Sequence, residues 1–508
     1  PYRINALAID SFHFLTDMDC EVVVVGGGIG GLTVAALLAQ RGVNVCLLER
    51  ESRVGGCAAA FEKFGYSFEP GYGLFTGWEP DGIHQRIFSE LAVNPPEQRE
   101  CESAYVVRLP DAAEIKISRD QSQFEWQLSQ YFPECADEAI KFFRETRRVG
   151  VALHRALGKT PDLLARSATS RSFSLFSRNP LPAERRHSRE QSAASQLKET
   201  SIRFQRFIDV QLQTFMQGNS EEVPYLQAAL ALSAPLEGMY ELNGGAAALA
   251  DRLAESITKS GGRIRLNTPV LRLSYDSRGE AVGVDLLSGE TVKASKAIVS
   301  NLTIWDTYGK LVGLNRTPTE TRKQINALRG WGAYLLYLGL DETVVVPDHV
   351  LALTDWQDSA PYDPEHNQFV FAASPRAADN APSGKRAVTV HAFTSVDDWF
   401  TFHNDESEHE EKDQQLLEQY WNRLHAVMPE LGSGIEVIET ATPRTFYELT
   451  RRKLGTVGGL IPSLQSPFSP GGGETCLPNL FLVNDTSAGW GVEAVTRAAW
   501  LLAAKLSS

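Results

Sequence analysis

Residues 21–50 read EVVVVGGGIGGLTVAALLAQRGVNVCLLER, and this stretch decides the fold. Val22, Val23, Val24 and Val25 form a continuous β-branched run, the pattern of a strand buried on both faces in a parallel sheet. Gly26, Gly28 and Gly31 then supply G-x-G-x-x-G where that strand should turn into a helix. Leu32, Ala35, Ala36 and Ala39 continue at helical spacing, and Gly42 is placed to end the helix. A second apolar strand, residues 43–48, stops at Glu49.

Each part of the unit has a physical task. Gly26 allows the tight turn, Gly28 lets the backbone approach a pyrophosphate, and Gly31 lets helix and strand pack closely. A diphosphate at this place meets free N–H groups and the positive end of the helix dipole. Glu49 stands where a carboxylate would accept hydrogen bonds from an adenosine ribose. Strand, helix, second strand and terminal acid in one register predict dinucleotide binding.

Arg53, Val54, Gly55 and Gly56 follow directly, and residues 61–77 read FEKFGYSFEPGYGLFTG. The spacing E-x-x-x-R-x-G-G resembles that of the flavin amine oxidase and phytoene desaturase superfamily. The resemblance implies FAD, with the second glycine pair continuing the cradle. An acid-x-Gly element follows in that superfamily, matched here by Glu69, Pro70 and Gly71.

The 508 residues are enough for two or three domains, and 43% hydrophobic with 22% charged residues is the balance of an ordinary globular protein. A formal net charge of −14 argues against nucleic acid as a partner, since phosphate binding needs a basic face. The six cysteines (Cys20, Cys46, Cys57, Cys101, Cys135, Cys476) include no C-x-x-C, and the histidines show no metal-binding spacing. A reducing compartment and no metal site are expected. No apolar run approaches the roughly 18 to 20 residues that span a bilayer. The opening residues 1–20 lack the apolar core of a secretory signal, although the sequence leaves room for a removed targeting peptide.

Farther along, residues 81–93 read as a helix, and residues 104–118 as a hairpin around Pro110 and Asp111. Helical periodicity runs over 124–157. Residues 163–189 carry six arginines against the single acid Glu184, interleaved with Phe173, Leu175, Phe176 and Leu181. That composition suits either docking on an anionic membrane or a solvated loop. Phe204, Ile208, Leu212 and Phe215 form a stripe on a helix over 201–216, fit for core or for the wall of an apolar tunnel. Short strands return from Gly262, and Pro269-Val270 reads as the start of an edge strand. Residues 331–341, 369–375 and 387–393 read as strands of another domain, and 414–429 as a helix.

The tail, NLFLVNDTSAGWGVEAVTRAAWLLAAKL from Asn479, gives a buried strand, a glycine-rich turn and a final helix. Asp485 follows the strand, well placed to hydrogen-bond a flavin ribityl chain or diphosphate. Gly489 and Gly491 admit the backbone near an isoalloxazine, and helix N–H groups from Val492 stabilise negative charge there. The predicted fold class is α/β: a Rossmann-like FAD-binding domain interleaved with an α+β substrate domain. The expected boundaries are 1–105, 235–304 and 435–508 for the first, and 106–234 and 305–434 for the second.

Together these motifs resemble the phytoene desaturase and carotenoid isomerase family over nearly the full chain. Residues 82–91 (GIHQRIFSEL), 207–215 (FIDVQLQTF), 337–341 (YLGLD) and 441–459 (ATPRTFYELTRRKLGTVGG) look most like cyanobacterial-type carotenoid 3,4-desaturases. The family implies FAD, an apolar tunnel for a C40 polyene or other isoprenoid, and a peripheral place on membranes, cytoplasmic or in a plastid. It implies as cofactor contacts Gly26, Gly28, Ile29, Gly30, Gly31, Glu49, Arg50, Arg53, Gly55, Gly56, Val270, Asp485, Gly491 and Val492. Asn484 departs from the usual glycine before the acid, and Trp490 stands in the usual Pro-Gly-x-Gly turn, where it would narrow the tunnel.

The expected reaction is desaturation: an allylic C–H gives hydride to flavin N5 and the neighbouring carbon loses a proton. Glu493 and His84 are the candidate catalytic groups. No second nucleotide fingerprint is present, so a quinone or oxygen is the expected electron acceptor. Alternatives are a redox-neutral cis/trans isomerase, a retinol-type saturase, and a flavin-free prenyl-binding escort protein. An amine oxidase is disfavoured because the tail lacks an aromatic pair to cage an amine.

Overall fold

The computed structural model describes residues 20–159, 191–354, 356–376, 380–401, 405–462 and 473–508. The arginine-rich stretch 163–189 lies outside the described residues, as do residues 1–19.

The β-branched run forms the strand Cys20–Val25, with Val22, Val23 and Val24 fully buried. It pairs in parallel with Val45–Leu48 on one side and with Thr291–Ser300 on the other. Leu480–Leu482 adds in parallel to Thr291–Ser300, so the tail completes the sheet that the opening strand begins. The far edge is antiparallel, Val270–Tyr275 on Ala281–Leu286 on Thr291–Ser300, and Val270 starts the edge strand as its Pro269 predicted. The helix Ile29–Gln40 is buried on nearly all sides because it lies between Gly245–Lys259 and the final helix Gly491–Ser507. Its small side chains at Ala35, Ala36 and Ala39 permit that close approach.

A second sheet runs in the order Ile435–Ala441, Gly332–Asp341, Lys385–Thr394, Gln368–Ala373, His349–Leu353, Tyr105–Arg108 and Glu114–Ile117. Two of these strands, His349–Leu353 and Ile435–Ala441, are absent from the reading of the sequence. The second also moves a boundary. Ile435–Ala441 pairs with Gly332–Asp341 and so belongs with the second sheet, not with the cofactor sheet expected from residue 435.

Against the second sheet packs a helical layer of Gln121–Tyr131, Ala136–Lys159, Ile202–Met216 and Tyr225–Glu237. The run expected as one helix over 124–157 is broken at Pro133, which lacks the N–H to continue it. Phe132, Phe142, Phe143, Phe204 and Phe207 interlock edge to face or tilted, with Phe132 and Phe204 centroids 5.1 Å apart. Phe204, Ile208 and Leu212 of the predicted stripe are therefore core, and Phe215 alone of the four reaches a cavity.

Candidate functional site

A cavity of about 750 Å³ opens beside the glycine turn, lined by Gly26, Gly28, Glu49, Arg50, Arg53, Gly56 and Val270 of the expected set. The glycines are there for space. A Cβ at Gly31 would run into the carbonyl oxygen of Gly26, and one at Gly28 would lie 2.5 Å from Asn301 Oδ1. A Cβ at Gly30 would lie 2.6 Å from the carbonyl oxygen of Val483, so this position carries the contact between the opening turn and the tail. The two glycine pairs meet directly: Gly55 N–H donates to the Gly27 carbonyl at 2.8 Å, and Gly55 adopts φ 113°, a conformation that favours glycine.

Glu49 is tied to the same turn. Its Oε2 accepts from Gly27 N–H at 2.6 Å and its Oε1 from Glu51 N–H at 2.8 Å. Its carbonyl accepts from Thr268 N–H at 2.8 Å, which brings the strand starting at Val270 alongside. Arg50, Arg53, Lys310, Arg451 and Arg452 add positive charge to the lining.

Asp485 acts on this cavity from behind. It opens the short helix Asp485–Ala488, and its Oδ2 accepts from Arg452 Nη2 at 2.8 Å, while Arg452 itself lines the cavity. Its Oδ1 is buried without a hydrogen-bond partner among the described atoms. The unusual Asn484 has a structural task, donating from Nδ2 to the Leu302 carbonyl at 2.6 Å and accepting at Oδ1 from Thr486 Oγ1 at 2.6 Å. Beside the pair, burial pushes the Cys57 thiol up and Arg452 opposes that shift. Ile29, Gly30, Gly31, Gly55 and Asp485 thus shape the cavity without lining it. The residues fit a dinucleotide: a glycine turn packed too closely for side chains at Gly28, Gly30 and Gly31, a helix N-terminus, clustered cations and an orphaned buried acceptor.

A second cavity of about 230 Å³ lies on the other side of the tail turn. Gly491 and Val492 of the expected set line this one and not the first. Its wall is mostly apolar, with Leu157, Phe215, Met216, Leu230, Ala231 and Leu501, and the two cavities share no lining residue. Trp490 stands in that wall, its Nε1 donating to the Leu460 carbonyl at 2.9 Å.

Polar groups gather at one part of the second cavity. Glu493 Oε2 accepts from Thr76 Oγ1 at 2.5 Å, and its other oxygen pairs with Arg497. Burial alone would raise the Glu493 pKa, but Arg497, His154, Thr76 and His84 together hold it below the ordinary carboxylate value. His154 Nε2 is 2.8 Å from Glu79 Oε1, which raises its pKa against the effect of burial. His84 is a neighbour of Glu493 across Gly77, yet it lines neither cavity. Its ring stacks on Trp78 with centroids 4.5 Å apart, and burial pushes its pKa down to about 4. The structure therefore gives His84 a supporting place behind Glu493, where a reacting group was expected.

His154, Thr76 and Arg497 of the second cavity and Arg452 of the first are lining residues that the sequence reading missed. Glu493 and Arg497 are spaced i, i+4, and that alone could have flagged the pair. His154 and Thr76 carry no such signal. Among the described residues no cluster of His, Cys, Asp or Glu could hold a metal ion.

The chain is 26% identical over 496 residues to the chloroplastic prolycopene isomerase of Daucus carota, covering 94% of this chain and 78% of that protein. It is 24% identical over 522 residues to the neurosporene-forming phytoene desaturase of Rhodobacter capsulatus, covering 95% and 93% respectively. An oxidoreductase from Methanosarcina mazei shares the fold, with a TM-score of 0.63 at 19% identity over 96% of this chain and 99% of that one. Residues 29–451 match the family described as flavin containing amine oxidoreductase. The flavin-free escort reading does not survive that match. The chain belongs to the flavin containing amine oxidoreductase family, and it is an enzyme whose cofactor is FAD.

Proposed function

We propose that the chain is an FAD-dependent oxidoreductase that desaturates an apolar, carotenoid-like polyene. The observation that supports this reading best is the largely apolar cavity walled by the tail turn of the cofactor site. The names of the carrot and Rhodobacter relatives, both acting on carotenoids, point the same way.

FAD, when bound, supplies a two-electron acceptor for hydride. The protein's share is position and electrostatics. The cavity wall from Leu157 to Leu501 excludes water from the polyene. Glu493, kept anionic by Arg497 and His154, faces the cavity as the group that can take up the proton or stabilise positive charge spreading along the chain. Desaturation breaks two C–H bonds, forms one double bond, and sends two electrons and two protons onward. A quinone or oxygen is the proposed recipient.

A polyene substrate resides in membranes, so the proposal includes a peripheral position on one, with residues 163–189 as the docking segment. That surface is cytoplasmic, or in a plastid as the carrot relative's name suggests for its own case. No helix of the described residues is long and apolar enough to cross a membrane.

Redox-neutral isomerisation is the second reading, favoured by the name of the carrot relative. Reconstitution of the flavin-loaded protein with a cis-polyene separates the two. Desaturation demands an acceptor and yields a longer conjugated chromophore. Turnover to an isomer under reducing, anaerobic conditions overturns desaturation and supports the isomerase. Failure to change any polyene, in vitro or in a carotenoid-making host, overturns both.

A further inference from the structure

Three side chains form a line that leads out of the second cavity. Glu493 and His154 line the cavity, and Glu79 does not; it lies on the far side of the imidazole, in the loop before the helix Ile83–Glu90. His154 Nε2 stands 2.8 Å from Glu79 Oε1, and its Nδ1 stands 3.9 Å from Glu493 Oε1. The first is a hydrogen bond, and the second is a span that one water molecule or a slight turn of the ring closes. Side-chain exposure is 15% at Glu493 but 39% at His154 and 32% at Glu79, so the line starts inside and ends at water.

Each member has a fixed orientation. Thr76 donates to Glu493 Oε2, and Arg497 pairs with Oε1. An ionised Glu79 can only accept, so it draws the proton of a neutral imidazole to Nε2 and leaves the Nδ1 lone pair towards Glu493. The electrostatics have a direction as well. Glu493 is held below the ordinary carboxylate value while Glu79 raises His154, so a proton arriving on Glu493 moves downhill to the ring. Glu79, Glu493 and Arg497 are the charges that act on His154, and among the described residues His154, Glu493 and Arg497 are the titratable groups in the cavity wall. An ion pair with Arg497 is reason enough for a buried carboxylate. It gives no reason for an imidazole set between that carboxylate and a second one.

We propose that Glu493, His154 and Glu79 form the exit path for the proton that desaturation takes from carbon. The inference rests on the desaturase reading and adds the route by which that reaction sheds its proton. As the C–H bond breaks, its electron pair closes the new double bond and its proton goes to Glu493. His154 takes that proton at Nδ1 while Nε2 passes its own to Glu79, which returns it to water. The hydride from the adjacent carbon ends, by way of the cofactor, on the quinone or oxygen already named.

The test is turnover of the FAD-loaded full chain in detergent as a function of pH. The probes are neurosporene and β-carotene, with a short-chain plastoquinone analogue as acceptor. His154→Ala should lower kcat roughly 100-fold with KM unchanged, and added imidazole should restore much of the loss. The ring receives a proton only when neutral, so wild-type kcat should rise with pH through a value above 6.5. Glu79→Gln removes the largest cause of that raised value and should move the rise to lower pH. Nitrogen-15 histidine NMR without substrate should show the same fall in the His154 pKa, and in wild type a neutral ring protonated on Nε2. Flavin absorbance reports that each variant is folded. A loss in His154→Ala that imidazole does not restore, a pH profile that Glu79→Gln leaves in place, or a neutral ring protonated on Nδ1 overturns the inference and leaves the desaturase reading standing. Turnover of neither probe by the flavin-loaded wild type overturns the desaturase reading and this inference with it.

Discussion

The two cavities are built by opposite means. The cofactor cavity is made by the absence of side chains: Gly31 lies against the Gly26 carbonyl and Gly30 against the Val483 carbonyl, while Gly28 makes room for the Asn301 side chain, with Glu49 and the Asp485–Arg452 pair as fixed charges. The apolar cavity is made by side chains from the helices Ala136–Lys159, Ile202–Met216, Tyr225–Glu237 and Gly491–Ser507, which meet only in the folded protein. The first tolerates almost no change, since a backbone atom cannot move aside. The second can trade one apolar group for another at modest cost.

This contrast can be broken by experiment, and the sharpest attempt is Gly31→Ala. Its new Cβ would strike the Gly26 carbonyl, so we expect a loss of about 3 kcal/mol and a colourless protein. Visible absorbance and thermal unfolding of the purified variant give the answer, and normal flavin content would end the claim that backbone proximity makes the site. Asp485→Ala comes next. It removes the carboxylate partner of the Arg452 guanidinium, leaving only its bond to the Thr456 carbonyl, and should weaken flavin binding roughly 10- to 100-fold, read by titration of apoprotein with FAD.

His84→Phe tests the wall behind the apolar cavity. The His84 pKa falls from 6.5 to about 4, so the unfolded chain takes up a proton that the folded one refuses until more acid pH. Its contribution is fully present above pH 6.5 and is lost as pH falls towards about 4. Glu493, Glu79 and Arg497 are the charges that act on it. Glu69, raised to about 7, works in the opposite sense, its contribution present below 4.5 and lost as pH rises through about 7. The difference between wild type and His84→Phe isolates the histidine. Relative to wild type, the variant should gain roughly 2 kcal/mol between neutral pH and about pH 4.5, measured by denaturant unfolding. Its flavin content should not change.

The smallest effect is expected from Trp490→Phe. It gives up the hydrogen bond to Leu460 and costs no more than about 1 kcal/mol. Flavin affinity should stay as it is while polyene affinity shifts, and a loss of flavin would show that the two cavities are not independent.

The same contrast explains what could be read before any coordinates. Gly26, Gly28 and Gly31 are legible because steric exclusion ties each to one position along the chain, and Glu49 because a strand of set length separates it from them. Arg452 escapes notice because its partner is 33 residues away at Asp485. His154 lies on an amphipathic helix where a half-buried histidine is ordinary, and only the fold brings Glu79 and Glu493 to it. His349–Leu353 is a run of five buried residues, too short for periodicity to separate strand from helix. In Ile435–Ala441 only the two end residues are buried, so the alternation that marks a half-buried strand is missing.

The parallel pairing of Leu480–Leu482 with Thr291–Ser300 has a bearing on biosynthesis. A ribosome releases the glycine turn early, but the Val483 carbonyl against which Gly30 and Asn301 rest emerges only after hundreds more residues. A nascent chain halted before that point holds a turn with no wall behind it. Vitamin-derived colour should therefore be acquired only once that carbonyl has emerged, and translation arrest before it should leave the growing polypeptide unable to start redox chemistry.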